Sequence, residues 1–295
     1  MKIEDGVIQI RDYMPTVEAV GKVQEESAAA QAASVTDAGE KRAEELCSKS
    51  TVTFDEVWSA VQLASLVERR TDRMKQVDNE DAKTLPLWTF GLFVHGGVLG
   101  VTSETRRHPW LVKLLCKLVR QQEPDLEFLS LSMAINLVFR PHRDRNSLER
   151  ESVVLGLSRF QGGQLWTEGL PGECGNTAIR HIDNEGQQKP GKLHELSHKY
   201  VRFNAAVRMH GTEPFQGVRG VAVGYTPRGH LNVSSDVLRE LCELGFYNER
   251  MQKPRVSFGV SEGSANNIEH GSSRLEAECN SIIPERPLTE TTQCL

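Results

Sequence analysis

No stretch of this chain approaches the ~20 consecutive apolar residues that a helix needs to cross a bilayer, which argues against a helical membrane span. Positive charge is not in excess either. Lys and Arg number 35 against 40 Asp and Glu, a formal net charge of −5, so no global field draws the chain to nucleic acid or an anionic membrane. Cysteine is sparse: Cys47, Cys116, Cys174, Cys242, Cys279 and Cys294 form no CxxC pair and no zinc-like cluster. That excludes a disulfide scaffold and leads us to expect a reducing compartment, cytoplasm or nucleus. The opening MKIEDGVIQIRDYM is too acidic, and its apolar run too short, for a signal peptide. Cys294, one residue from the end, does not fit a prenylation box. No internal repeat is visible.

What is present suits a soluble domain with polar appendages: 295 residues, 38% hydrophobic and 25% charged. Residues 1–50 are weakly patterned and are expected to form a flexible N-terminal segment. The first firm element starts at Thr53, where Thr53 and Glu56 form a capping box. Phe54, Val57, Trp58 and Val61 then recur at helical spacing, predicting a helix to about Met74. Residues 51–83 are thus helix and polar connector.

From Leu85 the character turns to short β-rich runs. A tight turn is expected at Gly96-Gly97, a helix with Pro109 in its first turn and Leu111, Leu114, Leu115 and Leu118 on one face, and a long strand from Leu126 to Arg140. Further strands are expected at Ser152–Leu157, after a Gly162-Gly163 turn, from Tyr200 to His210 and from Val218 to Thr226. Leu170 to Lys192 reads as an inserted loop or hairpin tip. A last helix from about Ser234 to Leu244 ends at Gly245. Many short strands bracketed by helices predict an α+β fold with a mainly β core: a jelly roll over 84–250 with supporting helices, followed by a disordered tail over 251–295.

Within this frame the triplet His142-Arg143-Asp144 stands out. An imidazole and a carboxylate two residues apart on an extended segment share a face. His210, 68 positions later on another predicted strand, would complete a two-histidine, one-carboxylate set that holds one side of an octahedral ferrous ion and leaves the other positions open. An HxD triplet alone is weak, and a lone histidine is more often a satisfied imidazole than a ligand. Arg219 adds context. It shares a strand face with Val221, Val223 and Tyr225, and an inward arginine among apolar neighbours needs a buried anion. Two partners fit: a co-substrate carboxylate gripped in bidentate fashion, or a protein carboxylate in a structural ion pair. Asn136 has the same strand parity as His142 and Asp144 and is expected to point inward toward the same co-substrate.

The run Asn136…His142-x-Asp144…Asn146…Ser152…Gly162-Gly163-Gln164-Leu165-Trp166, then His210-x-Thr212-Glu213-Pro214-Phe215…Gly217…Arg219…Tyr225-Thr226, resembles the iron- and 2-oxoglutarate-dependent dioxygenase superfamily. More narrowly it is similar to dioxygenase-like domains of unicellular algae often found beside retrotransposon polyprotein segments. The resemblance covers about residues 87 to 246. It implies a double-stranded β-helix, with His142, Asp144 and His210 as Fe(II) ligands and catalytic residues and Arg219 as the 2-oxoglutarate anchor. The implied reaction is hydroxylation of a substrate by dioxygen, with decarboxylation of 2-oxoglutarate to succinate. One departure is Val221, where some relatives place a small hydroxyl residue two positions after the arginine.

The main substrate is not legible. One alternative is a nucleic-acid base oxidase of ten-eleven-translocation or J-binding type, which would need base extrusion from a duplex. Arg140, Arg143, Arg145 and Arg150 favour it and the acidic net charge does not. A non-catalytic binding relic of a mobile element and a hydrolytic zinc site are the others. His194 and His198 have i, i+4 spacing but no supporting Glu or Cys motif, and with His181 they are taken as surface residues. His95 reads as a packed turn residue, Asn204 as a brace for the metal site, and Trp58, Trp88, Trp110 and Trp166 as core.

Overall fold

The computed structural model describes residues 37–68, 77, 84–173, 175, 177–181 and 187–246. The expected tail over 251–295 and Cys174, Cys279 and Cys294 lie outside them. Five α-helices occur among the described residues: α1 (Ala38–Cys47), α2 (Phe54–Leu63), α3 (Ser103–Arg107), α4 (Pro109–Gln122) and α5 (Ser235–Glu243). α2 opens on the expected capping box, with the Thr53 hydroxyl accepting from the Glu56 amide and the Glu56 carboxylate accepting from the Thr53 amide. α5 is capped by Ser234, and Gly245 follows it in the left-handed region at φ 90°.

α1 corrects the expectation that nothing firm precedes Thr53. Asp37 caps it by accepting from the amides of Gly39 and Glu40, and Ala43 and Leu46 are fully buried. Its Glu40 is buried as well. That carboxylate accepts from the amides of Trp110 and Leu111, both at 2.9 Å, and so caps α4, whose own N-cap His108 makes no side-chain cap. Burial pushes the Glu40 carboxyl up to about 7, against the pull of the two amides. The apolar stripe of α1 was too thin to read from sequence because one of its buried positions is a glutamate serving another helix.

α2 also ends earlier than Met74. Ala64 leaves the helical region, which lets the Ser65 amide donate to Asp37 Oδ2 at 2.8 Å. A tertiary hydrogen bond here outweighs helical periodicity.

Among the described residues the β core comprises twelve strands: β1 (Leu87–His95), β2 (Val98–Val101), β3 (Ser130–Ile135), β4 (Ser152–Gly156), β5 (Gln161–Gly162), β6 (Leu165–Glu168), β7 (Ala178–His181), β8 (Gln188–His194), β9 (Tyr200–Phe203), β10 (His210–Thr212), β11 (Phe215–Gln216) and β12 (Gly220–Tyr225). The larger sheet has the order β2-β1-β3-β12-β4-β9, the smaller β10-β6-β8-β7, and β11 pairs with β5. All ladders are antiparallel. A bridge from His142 to His210 adds the segment after β3 to the edge of the smaller sheet. The chain therefore passes repeatedly between two facing sheets, one built on β3-β12-β4-β9 and the other on the His142 segment, β10, β6 and β8. This is the strand order of a double-stranded β-helix, the expected jelly roll with supporting helices.

Strand alternation sorts the core. Val153, Leu155, Leu131, Met133 and Ala222 join the large cluster between the sheet and the helices. Val154 and Val221, on the opposite face, pack inside the barrel with Leu165, Phe203 and Ala205. β4 is covered on both sides and is buried throughout.

Two expected long strands are broken. The run from Leu126 to Arg140 is a strand only from Ser130 to Ile135, because Asn136 takes φ 53° and turns the chain toward the other sheet. The run from Tyr200 to His210 divides into β9 and β10, since Asn204 Oδ1 accepts from the amides of Ala206 and Val207 and closes a turn between sheets. Within the expected insertion, β7 and β8 pair antiparallel, from Ala178↔Gly191 to His181↔Gln188.

α2 meets the β core at Gly220. A Cβ built there would lie 2.2 Å from the Trp58 ring. Gly220→Ala is therefore expected to destabilise the fold by about 1–3 kcal/mol through overpacking, measured by urea denaturation. Trp58→Leu in the same chain should recover part of that loss.

Candidate metal centre

His142 and His210 are brought together by main-chain pairing. Each donates its N–H to the other's carbonyl, both at 2.9 Å. The Asp144 amide donates to the Ala205 carbonyl at 2.9 Å, bringing the carboxylate to the same spot. This segment is not a regular strand, so the shared face comes from pairing with two different partners. His142 Nε2 lies 3.5 Å from Asp144 Oδ1, and His210 Nε2 lies 3.9 Å from Asp144 Oδ2. One donor atom from each of the three residues falls within 4.8 Å of the others. With metal–ligand bonds of ~2.1 Å, adjacent donors of an octahedral ion sit ~3 Å apart, so the trio fits one divalent ion after a slight closure.

The ring orientations support this fit. His142 Nδ1 lies 2.7 Å from the Arg140 carbonyl and His210 Nδ1 lies 3.2 Å from the Arg208 carbonyl. Only an Nδ1–H can donate there, which leaves each Nε2 as a lone-pair donor facing Asp144. Phe139 and Phe203 flank the imidazoles, with ring centroids 5.8 Å and 5.2 Å away. Asn146, buried at 5% exposure, donates through Nδ2 to Asp144 Oδ2 at 3.1 Å and thereby orients the carboxylate.

The trio lines a cleft whose remaining walls are mostly apolar: Leu87, Val154, Leu165, Val221 and Val223 among them. Arg219 enters the same cleft and is 3% exposed. Its face-sharing neighbours Val221, Val223 and Tyr225 line the cleft as expected, and the Tyr225 hydroxyl accepts from Ser132 Oγ at 3.4 Å. Arg219 Nε donates to the Gly163 carbonyl at 3.1 Å, and Phe160 and Phe215 lie 5.4 Å and 5.9 Å from its guanidinium carbon. Among the described residues no carboxylate pairs with it, which removes the structural ion pair considered from sequence. Burial lowers its pKa to about 10. Gly163 does more than turn the chain: a Cβ there would lie 3.0 Å from Arg219 Cδ and Nε, so the side chain needs the glycine to lie flat.

No family model matches the sequence, and no curated protein does. Among solved structures, the chain is similar to an oxidoreductase of the 2OG-Fe(II) oxygenase family from Burkholderia pseudomallei, at 16% identity and TM-score 0.37 over 64% of this chain and 91% of that one. A Trichoplax adhaerens prolyl hydroxylase in complex with a hypoxia-inducible-factor peptide aligns at 11% identity and TM-score 0.33, over 76% and 100%. A Pseudomonas putida prolyl-4-hydroxylase aligns at 16% and 0.27, over 54% and 78%. So loose a likeness transfers neither residue roles nor substrate. The fold assignment rests on the strand order, and the site on its own geometry.

The remaining expected residues divide. Asn136 is exposed and does not line the cleft. Its Oδ1 accepts from the Arg219 amide at 2.8 Å and its own amide donates to the Arg219 carbonyl, so it holds the arginine's backbone and not a ligand. The inward parity expected for it fails because the strand stops at Ile135. Asn204 closes the β9–β10 turn and donates to the Leu148 carbonyl; it does not touch the metal trio. His194 lies on β8 against Thr167 Oγ1, and His198 stacks on Phe54, so their spacing is not helical and both are partly covered. His95 is exposed, and the His181 side chain lies outside the described residues. Trp88 and Trp166 are core, while Trp58 and Trp110 are half-buried at its edge. Sequence reasoning missed the roles of Asn146 and Gly163, although both stand in the motif run.

A buried cation without a protein counter-ion costs stability. Arg219→Met is expected to raise the unfolding free energy by about 1 kcal/mol or more, read as a higher thermal midpoint of the ligand-free protein. A lower midpoint would mean that the arginine serves packing, not binding.

Proposed function

We propose that this protein is an Fe(II)- and 2-oxoglutarate-dependent dioxygenase that hydroxylates a substrate while converting 2-oxoglutarate to succinate and carbon dioxide. The observation that carries this reading is the buried Arg219, paired with no carboxylate among the described residues, in the same apolar cleft as the His142, Asp144 and His210 trio. A two-histidine, one-carboxylate set is the donor arrangement of open-sided ferrous centres. Ferrous iron bound there, with 2-oxoglutarate and dioxygen, supplies the oxidising power for the hydroxylation.

The chain's own residues do the rest. His142, Asp144 and His210 would hold the metal. The carbonyls of Arg140 and Arg208 keep a proton on each Nδ1 and so keep each Nε2 available. Arg219, in the same cleft, would offer its guanidinium to a carboxylate of the dicarboxylate, a charge-assisted contact that low local polarity would strengthen. Val154, Leu165, Val221 and Phe203 exclude bulk water around it.

The base-oxidation reading finds less support. Of the four arginines near the ligands, Arg143 is paired with Glu168 and Arg150 with Glu127, so half of the basic run is already engaged by protein carboxylates. The link to algal domains beside retrotransposon segments rests on motif resemblance alone.

Purified protein should release succinate from 2-oxoglutarate only with Fe(II) and air. His142→Ala should abolish this release. Arg219→Met should retain metal binding but need about 100-fold more 2-oxoglutarate or beyond, given ~3–5 kcal/mol for breaking a buried charge pair. Turnover of 2-oxoglutarate that ignores His142→Ala, or hydrolytic activity under nitrogen with zinc, would overturn the proposal.

A further inference from the structure

Glu168, at the end of β6, lies outside the cleft and was not singled out by any motif. Its side chain is 13% exposed. Its Oε2 accepts from Arg143 Nη2 and, at 3.1 Å, from the Met209 amide. The Glu168 amide in turn donates to the Met209 carbonyl at 2.7 Å. Arg143 stands between the ligands His142 and Asp144, and Met209 immediately precedes His210. The same arginine donates through Nε to the Val207 carbonyl at 2.7 Å, back on the segment that carries His210. One carboxylate thus ties together the two chain segments that bear all three donors. Lys189 Nζ, 3.8 Å from Oε1, closes the cluster on its outer side.

We propose that Glu168 is a positioning residue for the metal centre. It joins the His142–Asp144 segment to the His210 segment and holds the donors at the spacing of a single divalent ion. This inference rests on the reading of the trio as a metal site. The pair contributes little to folding, because the Arg143 side chain is 46% exposed and such pairs are screened by solvent. Its effect is on geometry. An ion needs all three donors at once; the backbone bonds of His142 with His210 and of Asp144 with Ala205 set the approach of the two segments, and the Glu168 tie limits the residual twist between them, which the metal must otherwise overcome on binding.

The test uses the full chain, metal-free, titrated under nitrogen with Co(II), whose visible spectrum reports coordination geometry. Glu168→Ala should weaken Co(II) binding by about 10- to 100-fold and alter the bound-metal spectrum, with an unchanged thermal midpoint for the metal-free protein. Glu168→Gln still accepts from the Met209 amide but loses its charge for Arg143, so its loss should be smaller. Arg143→Met cuts the same link from the exposed side and should weaken binding in the same direction. If Glu168→Ala does not fold, Arg143→Met decides.

Wild-type affinity and spectrum in Arg143→Met and Glu168→Ala would overturn the inference. So would a lower midpoint with unchanged affinity, since that marks a merely structural role. Failure of the wild-type chain to bind Co(II) would instead overturn the metal-site reading beneath it.

Discussion

The reciprocal hydrogen bonds between the main chains of His142 and His210 are the constraint on which the rest of the site depends. They join the segment after β3 to β10 and make a two-histidine edge on the smaller sheet. From that edge Asp144 is only one further backbone bond away, through Ala205. Because the donors are set by main-chain pairing, their approach does not depend on long, flexible side chains. Side-chain hydrogen bonds then settle the details: Nδ1 protons held by local carbonyls and the Asp144 carboxylate held by Asn146. This is the preorganisation that a metal centre requires, since ligands already at the right separation lose little freedom when the ion arrives.

Arg219 shows the opposite economy. A guanidinium with no counter-ion among the described residues works against the fold, because burial disfavours its charge. Asn136 grips its backbone through both N–H and C=O, Gly163 clears a place for its side chain, and the guanidinium lies over the rings of Phe160 and Phe215. Such support for an isolated buried charge makes sense where an anionic ligand completes the pair. The helical layer contributes by holding β12 in place, with Trp58 pressed against Gly220 next to the arginine.

Much of this was legible in the residues, for definite reasons. Helix boundaries with local chemistry, such as the Thr53–Glu56 capping box, Pro109 and Gly245, are determined by hydrogen bonds and torsions within a few residues and were read correctly. The period-2 pattern of β12 placed Arg219, Val221, Val223 and Tyr225 on one face, and all four line the cleft. Where the outcome depended on distant partners, local reading failed. Ala64 leaves its helix for Asp37, Glu40 lies buried to cap α4, and Asn136 and Asn204 end strands so that the chain can cross between sheets. A strand that continues and a strand that crosses over carry the same apolar alternation.

By itself, the sequence determined which side chains were available and which face each would take within an unbroken element: two imidazoles, one carboxylate and one arginine, with spacings suited to a β framework. Only the tertiary structure decided that His142 pairs with His210, that Asn136 serves Arg219 and no ligand, and that Glu168 joins the two ligand segments. The physical reason is range. Torsional preference and periodicity act over a few residues, whereas register between strands and the cost of an unpaired buried charge are settled only when distant segments meet.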